Sequence, residues 1–308
     1  MSTPLNAMPS LDERTIAPAT LSLVRPFYWS VRRELWEHRS LYLAPLAIAA
    51  AVLLGFIFYL FHLPYAMRSL PSLDPAAQRA SLAQPFDFAA GAIMAAAFLI
   101  SIFYSVDALY GERRDRSILF WKSLPVSDLT TVLAKASIPL AFLPLFAFAV
   151  TAATQIVMLL LGSMVVLANG LSVATFWTQL QLHQLLFMLL YHLVTAHMLW
   201  YAPFYAWLLL VSAWARRSPF LWGVLPPLAI GVFENLAFHS SKFFSLINDR
   251  YSGPSDAMTS MMGDFPFHPG TRLDAVGFLA APGLWIGLLF AAIFLVAAAR
   301  LRRYRDPI

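Results

Sequence analysis

The sequence predicts an all-α polytopic membrane protein, and three observations carry that reading. Hydrophobic residues make up 60% of the 308-residue chain and charged residues only 12%, with a mean hydropathy of +0.68; an average soluble domain carries about 25% charged residues. Apolar runs long enough to cross a bilayer, about 20 residues each, recur six times. Lys and Arg are unevenly divided among the segments that join them, as membrane proteins require.

Taken in order, residues 1–40 form a tail and one helix. Residues 1–20 are polar and proline-containing, and no short apolar core with a cleavage site follows them, so no cleaved signal peptide is expected. From Leu23 to Arg39 a helical period appears. Val24, Phe27, Tyr28, Val31 and Leu35 share one face, while Arg25, Arg32, Arg33, Glu37 and Arg39 lie largely off it. This spacing predicts an interfacial amphipathic helix, with Trp29 and Trp36 at headgroup level; a packed cytosolic helix is the alternative. Residues 41–299 form the membrane domain, with spans expected at 41–61, 88–109, 136–168, 183–215, 219–237 and 275–299. Ser40 is placed to cap the first. Pro64, Pro71, Pro75 and Pro85 read as breakers in an external loop. The third and fourth spans are overlong for a bilayer, and Pro139, Pro144 and Pro203 offer bends.

The most charged stretch, 110–130, separates the second and third spans. Glu112, Arg113, Arg114, Asp115 and Arg116 are consecutive, and Ile118, Leu119, Phe120 and Trp121 follow. Pro125 ends any helix there, and Ser127 is placed to cap the next one. The stretch reads as a short amphipathic helix outside the membrane that touches lipid headgroups or a soluble partner. A second long connection, 239–274, holds Phe243, Phe244, Leu246, Ile247 and Phe265, more apolar surface than a solvated loop needs; short re-entrant helices are expected there. Residues 300–308 are a basic tail.

Orientation follows from the basic residues. With both ends cytoplasmic, the inside segments carry 16 Lys and Arg and the outside segments five, of 21 in all. This predicts a multi-pass protein of the cell (inner) membrane with N- and C-termini cytoplasmic. The same asymmetry accounts for the net charge of +5, and no nucleic-acid partner is expected.

Few chemistries fit the side chains. The chain has no cysteine, which excludes disulfides, thiolate metal sites and Cys nucleophiles. No Walker A, HExxH or GxSxG pattern is present, and neither a resident cofactor nor a metal site is expected. His183, His192 and His197 fall in or beside the fourth span. At 100° per residue, His183 and His197 lie within about 40° of each other and His192 faces away from His183; helix packing explains them most simply. Asp107, at the end of the second span, lies within reach of Arg113 or Arg114. Glu234 and Asn235 lie toward the outer end of the fifth span, where a carboxylate is either a proton or substrate contact or a packing group.

The order of elements, and the local run of Glu112-Arg113, Ser117, Leu119, Leu124-Pro125-Val126-Ser127 and Lys135, resembles the ABC-2 type permeases, the membrane subunits of ABC exporters. Many members carry a Gly-Thr pair where this chain has Arg116-Ser117, so the chain resembles a divergent subgroup. The resemblance implies a six-span ABC-2, type V exporter-like fold with no catalysis of its own. Glu112, Arg113, Asp115, Ile118, Leu119, Phe120, Trp121 and Leu124 would form a coupling helix on a separate ATPase subunit, which would hold ATP and Mg2+. A second permease chain, identical or not, would complete the pathway, surrounded by membrane lipid. The alternative is a proton-coupled carrier or membrane enzyme using Glu234 and the fourth-span histidines.

Overall fold

The computed structural model describes residues 24–123, 126–252 and 275–304. Helix α1 (Val24–Glu37) precedes α2 (Ser40–Tyr59), α3 (Leu63–Ser69) with a 3-10 turn, and the long α4 (Pro75–Asp107). Two short helices, α5 (Tyr110–Arg114) and α6 (Ile118–Lys122), lead to α7 (Asp128–Ser137). A π-helical turn, Ile138–Phe142, joins α7 to α8 (Leu143–Ala168), and α9 (Val173–Leu180) and α10 (Leu182–His192) follow. A second π segment, Leu193–Trp200, leads into α11 (Ala202–Trp214); then come α12 (Pro219–Phe238), α13 (Lys242–Ser252), α14 (Ala275–Ala280) and α15 (Pro282–Tyr304). Among the described residues there is no strand, and six helices are long and apolar enough to cross a membrane. The chain is an all-α multi-pass membrane protein.

Local chemistry sets many of these boundaries. Ser127 accepts a hydrogen bond from Thr130 N at 3.1 Å and starts α7 with Asp128 in its first turn; Asp74 does the same for α4 through Ala77 N, 3.3 Å. Pro75 is therefore a starter and not a breaker, since a proline in the first turn gives up an N–H that has no helical partner. Helix α4 continues through Pro85, so residues expected in an external loop are helical. Ser40 is the first residue of α2 and caps nothing; the cap position is Arg39. The overlong third span is interrupted by the π turn containing Pro139, which has no N–H to give the α pattern. The fourth breaks at Tyr201, with Pro203 in the first turn of α11, and just ahead of the span Gln181, φ 46, separates α9 from α10.

Small side chains let the helices approach. Ala49 of α2, Ala90 and Ala97 of α4 and Ala147 of α8 are buried in one cluster with Leu41, Ile93, Leu143 and Leu193. Such residues let membrane helices pack closely where the hydrophobic effect gives little drive. A second cluster, around Phe56, Leu63, Phe86, Met158 and Phe176, fills the end of the bundle away from α5 and α6. Helix α15 packs along α11, with Ala202 and Ala206 against Ala291. In the connection expected to hold re-entrant helices, α13 folds back on α12, and residues 253–274 lie outside the described residues. The Phe244 ring occupies the space where a side chain on Gly231 would begin.

Gly231→Ala should therefore push α13 off α12 and lower the thermal midpoint of the detergent-solubilised protein, as overpacking typically costs about 1–3 kcal/mol. Phe244→Ala in the same chain should restore it. An unchanged midpoint in the single variant would show that this ring does not hold the hairpin together.

Candidate functional site

The charged stretch between α4 and α7 is two helices, not one. They meet at Arg116, whose φ of 56 is left-handed, a conformation that costs a non-glycine residue about 1 kcal/mol or more. The residues expected to face a partner are divided between buried and exposed positions. Glu112, Arg113 and Ile118 are buried within the chain. Asp115 is exposed, Leu119 and Phe120 are 59% and 61% exposed, and Trp121 is half-buried. Leu124 lies outside the described residues.

Beneath α5 lies a compact ionic cluster. Lys135 Nζ, from α7, donates to both oxygens of Glu34, from α1, at 2.9 Å each, and lies 3.2 Å from Glu112 Oε1. Arg33 Nη2 reaches Glu34 Oε1 and Glu112 Oε1, both at 2.7 Å. Arg302, from α15, approaches Glu112 Oε2 at 3.2 Å and also pairs with Asp128. Tyr104 of α4 donates its hydroxyl to Glu34 Oε2 at 2.8 Å. Three cations thus neutralise three anions in a site where Glu34, Lys135, Glu112 and Arg302 are all buried. Burial by itself would raise the Glu34 carboxyl; Lys135 and then Arg33 outweigh it and hold the group below its ordinary value of 4.5.

Neighbouring contacts stiffen the same region. Ser212 Oγ of α11 accepts from Leu109 N and Tyr110 N, 2.9 Å each, satisfying the backbone where α4 passes into α5. Arg113 turns inward and donates to the carbonyls of Ser212 and Ala215. The Arg33 guanidinium lies 3.7 Å from the centre of the Trp121 ring, which pins α6 to α1 by a cation–π contact. Lys122 Nζ donates to Arg303 O at 3.3 Å. The inner side of α5 and α6 is thereby fixed to four other helices, and the outer side presents Leu119 and Phe120.

The remaining candidate residues separate clearly. Asp107 pairs with Arg114 at 3.9 Å on an exposed surface. Glu234 accepts from Ser240 Oγ at 2.8 Å and from the backbone N of Lys242 and Phe243, 3.1 and 2.8 Å. It caps the start of α13, the packing role, and Asn235 beside it is exposed. His192 and His197 come together at the start of the π segment, with ring centres 5.9 Å apart. The π segment between them bonds i to i+5 and brings residues five apart into register, which an α-helical count misses. Sequence reasoning also missed Asp87. It is 3% exposed on α4, and among the described residues its Oδ2 has no hydrogen-bond partner; its position beyond Pro85 had suggested a loop.

No protein-family model, curated protein or solved structure matches this chain.

Removing one partner from a buried ion pair typically costs about 3–5 kcal/mol. Lys135→Met should therefore destabilise strongly, and Glu34→Gln on that background should recover part of the loss; additive losses in chemical unfolding would contradict a direct pair. Because the folded Glu34 value is lowered, its contribution is complete above about pH 4.5 and lost as the pH falls through the folded value. Glu34→Gln should flatten that acid limb of the stability profile.

Proposed function

We propose that this chain is the membrane-spanning permease subunit of an ATP-binding cassette exporter. It would line the substrate pathway with a second permease chain and couple to a separate ATPase subunit that holds ATP and Mg2+. The observation that carries the reading is the pairing of an exposed Leu119–Phe120 patch with a rigid buried support. A surface that passes motion from a partner to spanning helices needs both, and α5 and α6 have them through Glu112, Arg113 and Trp121. The left-handed Arg116 adds support, because it stands where the resembling permeases carry glycine, the residue suited to that backbone. On this reading the docking surface is Leu119, Phe120, Asp115 and Lys122, while Glu112, Arg113 and Ile118 act as its scaffold.

Asp87 favours a second reading, a proton-coupled carrier. A carboxyl buried in a spanning helix, here with Oδ2 unpaired among the described residues, is costly and marks a functional position by default. Gln155 Oε1 and Thr151 Oγ1, one turn apart on α8, are also buried without partners, and the Gln155 amide donates to Phe86 O beside Asp87. Glu234, with its capping role, drops out of this alternative.

Purification of the tagged chain from its own host should bring down an ATP-hydrolysing subunit. Leu119→Ala with Phe120→Ala should leave the protein inserted but weaken that association more than tenfold, since buried anchors contribute about 2 kcal/mol or more each. Absence of any ATPase, with uptake or efflux abolished by Asp87→Asn and driven by a pH gradient, would favour the carrier. The expected orientation has its own check. In this cysteine-free chain, Ser72→Cys should react with an impermeant thiol reagent in intact cells and Ser123→Cys only after permeabilisation; the reverse pattern would invert the topology.

A further inference from the structure

Helix α1 has two unlike sides. Glu34 is buried in the ionic cluster, and Val31 and Leu35 pack against the core. At about 100° per residue, Arg25, Tyr28, Trp29, Arg32 and Trp36 fall within an arc of about 100° on the other side. Tyr28, Trp29 and Trp36 are 57%, 58% and 68% exposed, and Arg25 is exposed as well. The Arg32 guanidinium lies between two rings, 5.1 Å from Trp29 and 4.7 Å from Trp36. No acidic residue shares the arc; Glu37 lies off it and is held by Arg33 Nε at 3.4 Å.

The position of this face narrows what it meets. Helix α1 runs into α2, the first spanning helix, through only His38 and Arg39, so the arc lies beside the place where the chain enters the bilayer. Exposed Trp and Tyr rings suit that boundary, with the ring body in apolar surroundings and the polar edge in water. The same pairing recurs nearby in the sequence-distant turn after α11. There Trp214, Arg216, Arg217 and Trp222 line a cleft of about 560 Å³, with the two Trp rings 4.7 Å apart. Arg113 ties that turn to α5, so both Arg–Trp surfaces belong to the charged end of the bundle.

We propose that the outer face of α1 binds the headgroups of anionic phospholipids. Arg25 and Arg32 attract the phosphate, and Trp29 and Trp36 seat the helix at the boundary and hold the Arg32 guanidinium in place between them. The ionic cluster fixes the rotation of α1 about its own axis through Glu34, and so keeps the arginines on the outside. This inference stands apart from the transport reading and holds for any activity of the chain.

The test offers the purified full-length chain, in a neutral detergent, equal amounts of phosphatidylglycerol and phosphatidylcholine, and counts the retained lipids by native mass spectrometry. Phosphatidylglycerol should be preferred, less so at high salt. Each basic residue near an anionic surface contributes about fivefold, so Arg25→Gln with Arg32→Gln should cut the preference on the order of 25-fold at low salt. Arg25→Lys with Arg32→Lys should keep most of it, which separates headgroup attraction from a folding defect. A wild-type lipid ratio in the Gln variant would overturn the proposal. So would displacement of the lipid by excess inorganic phosphate, which would mark a free-anion site. Loss of a copurifying protein with no change in lipid ratio would do the same, marking a protein-docking face.

Discussion

The interaction on which this structure depends is the buried meeting of Lys135 with Glu34 and Glu112. Moving any one of these charges out of water alone would cost several kcal/mol, so none of them can be buried until the others are in place. Arg33 and Arg302 complete the neutralisation, and the result is a joint between α1, α5, α7 and α15, with Tyr104 bringing in α4. Apolar side chains of equal volume would hold the same helices together about as firmly. The ionic version differs in specifying direction, because a carboxylate with two oxygens and three cations around it fits only one arrangement of their helices.

That joint explains why one short stretch serves two purposes. The residues of α5 and α6 that face inward, Glu112, Arg113 and Ile118, are spent on the bundle, while Leu119 and Phe120 face outward. Ser212 contributes at the same place with a single hydroxyl that satisfies two backbone donors. The outer residues are therefore presented on a base with little freedom of its own, unlike a loop held only at its ends.

What the sequence made legible was local. Six apolar spanning helices, the Ser127 cap and the irregular turn at Pro139 depend on residues close together in the chain. The ionic cluster was not legible, because Glu34 and Lys135 are 101 positions apart and nothing in either neighbourhood names the other. Glu112 and Arg113 read as surface charges for the same reason: charge patterning says that a residue is polar, not that its partners lie elsewhere in the chain. The approach of His192 to His197 was not legible, because an α-helical count does not hold across the π segment between them. Asp87 was hidden by a proline that the helix tolerates. Tertiary contact decided the ionic cluster, and local departures from a regular helix decided the other two.

The cluster also bears on how the protein is made. Synthesis proceeds from the N-terminal end, and domains begin to fold as they emerge. Glu34, Glu112, Asp128 and Lys135 are all delivered long before Arg302 arrives on the last spanning helix. Until then Glu112 and Asp128 lack a cation that the finished fold supplies, and the buried cluster is one positive charge short. Insertion of α15 is thus the step that brings the site to neutrality. A chain whose final helix fails to insert is left with Glu112 and Asp128 short of one partner, so the joint between the first and last helices cannot close.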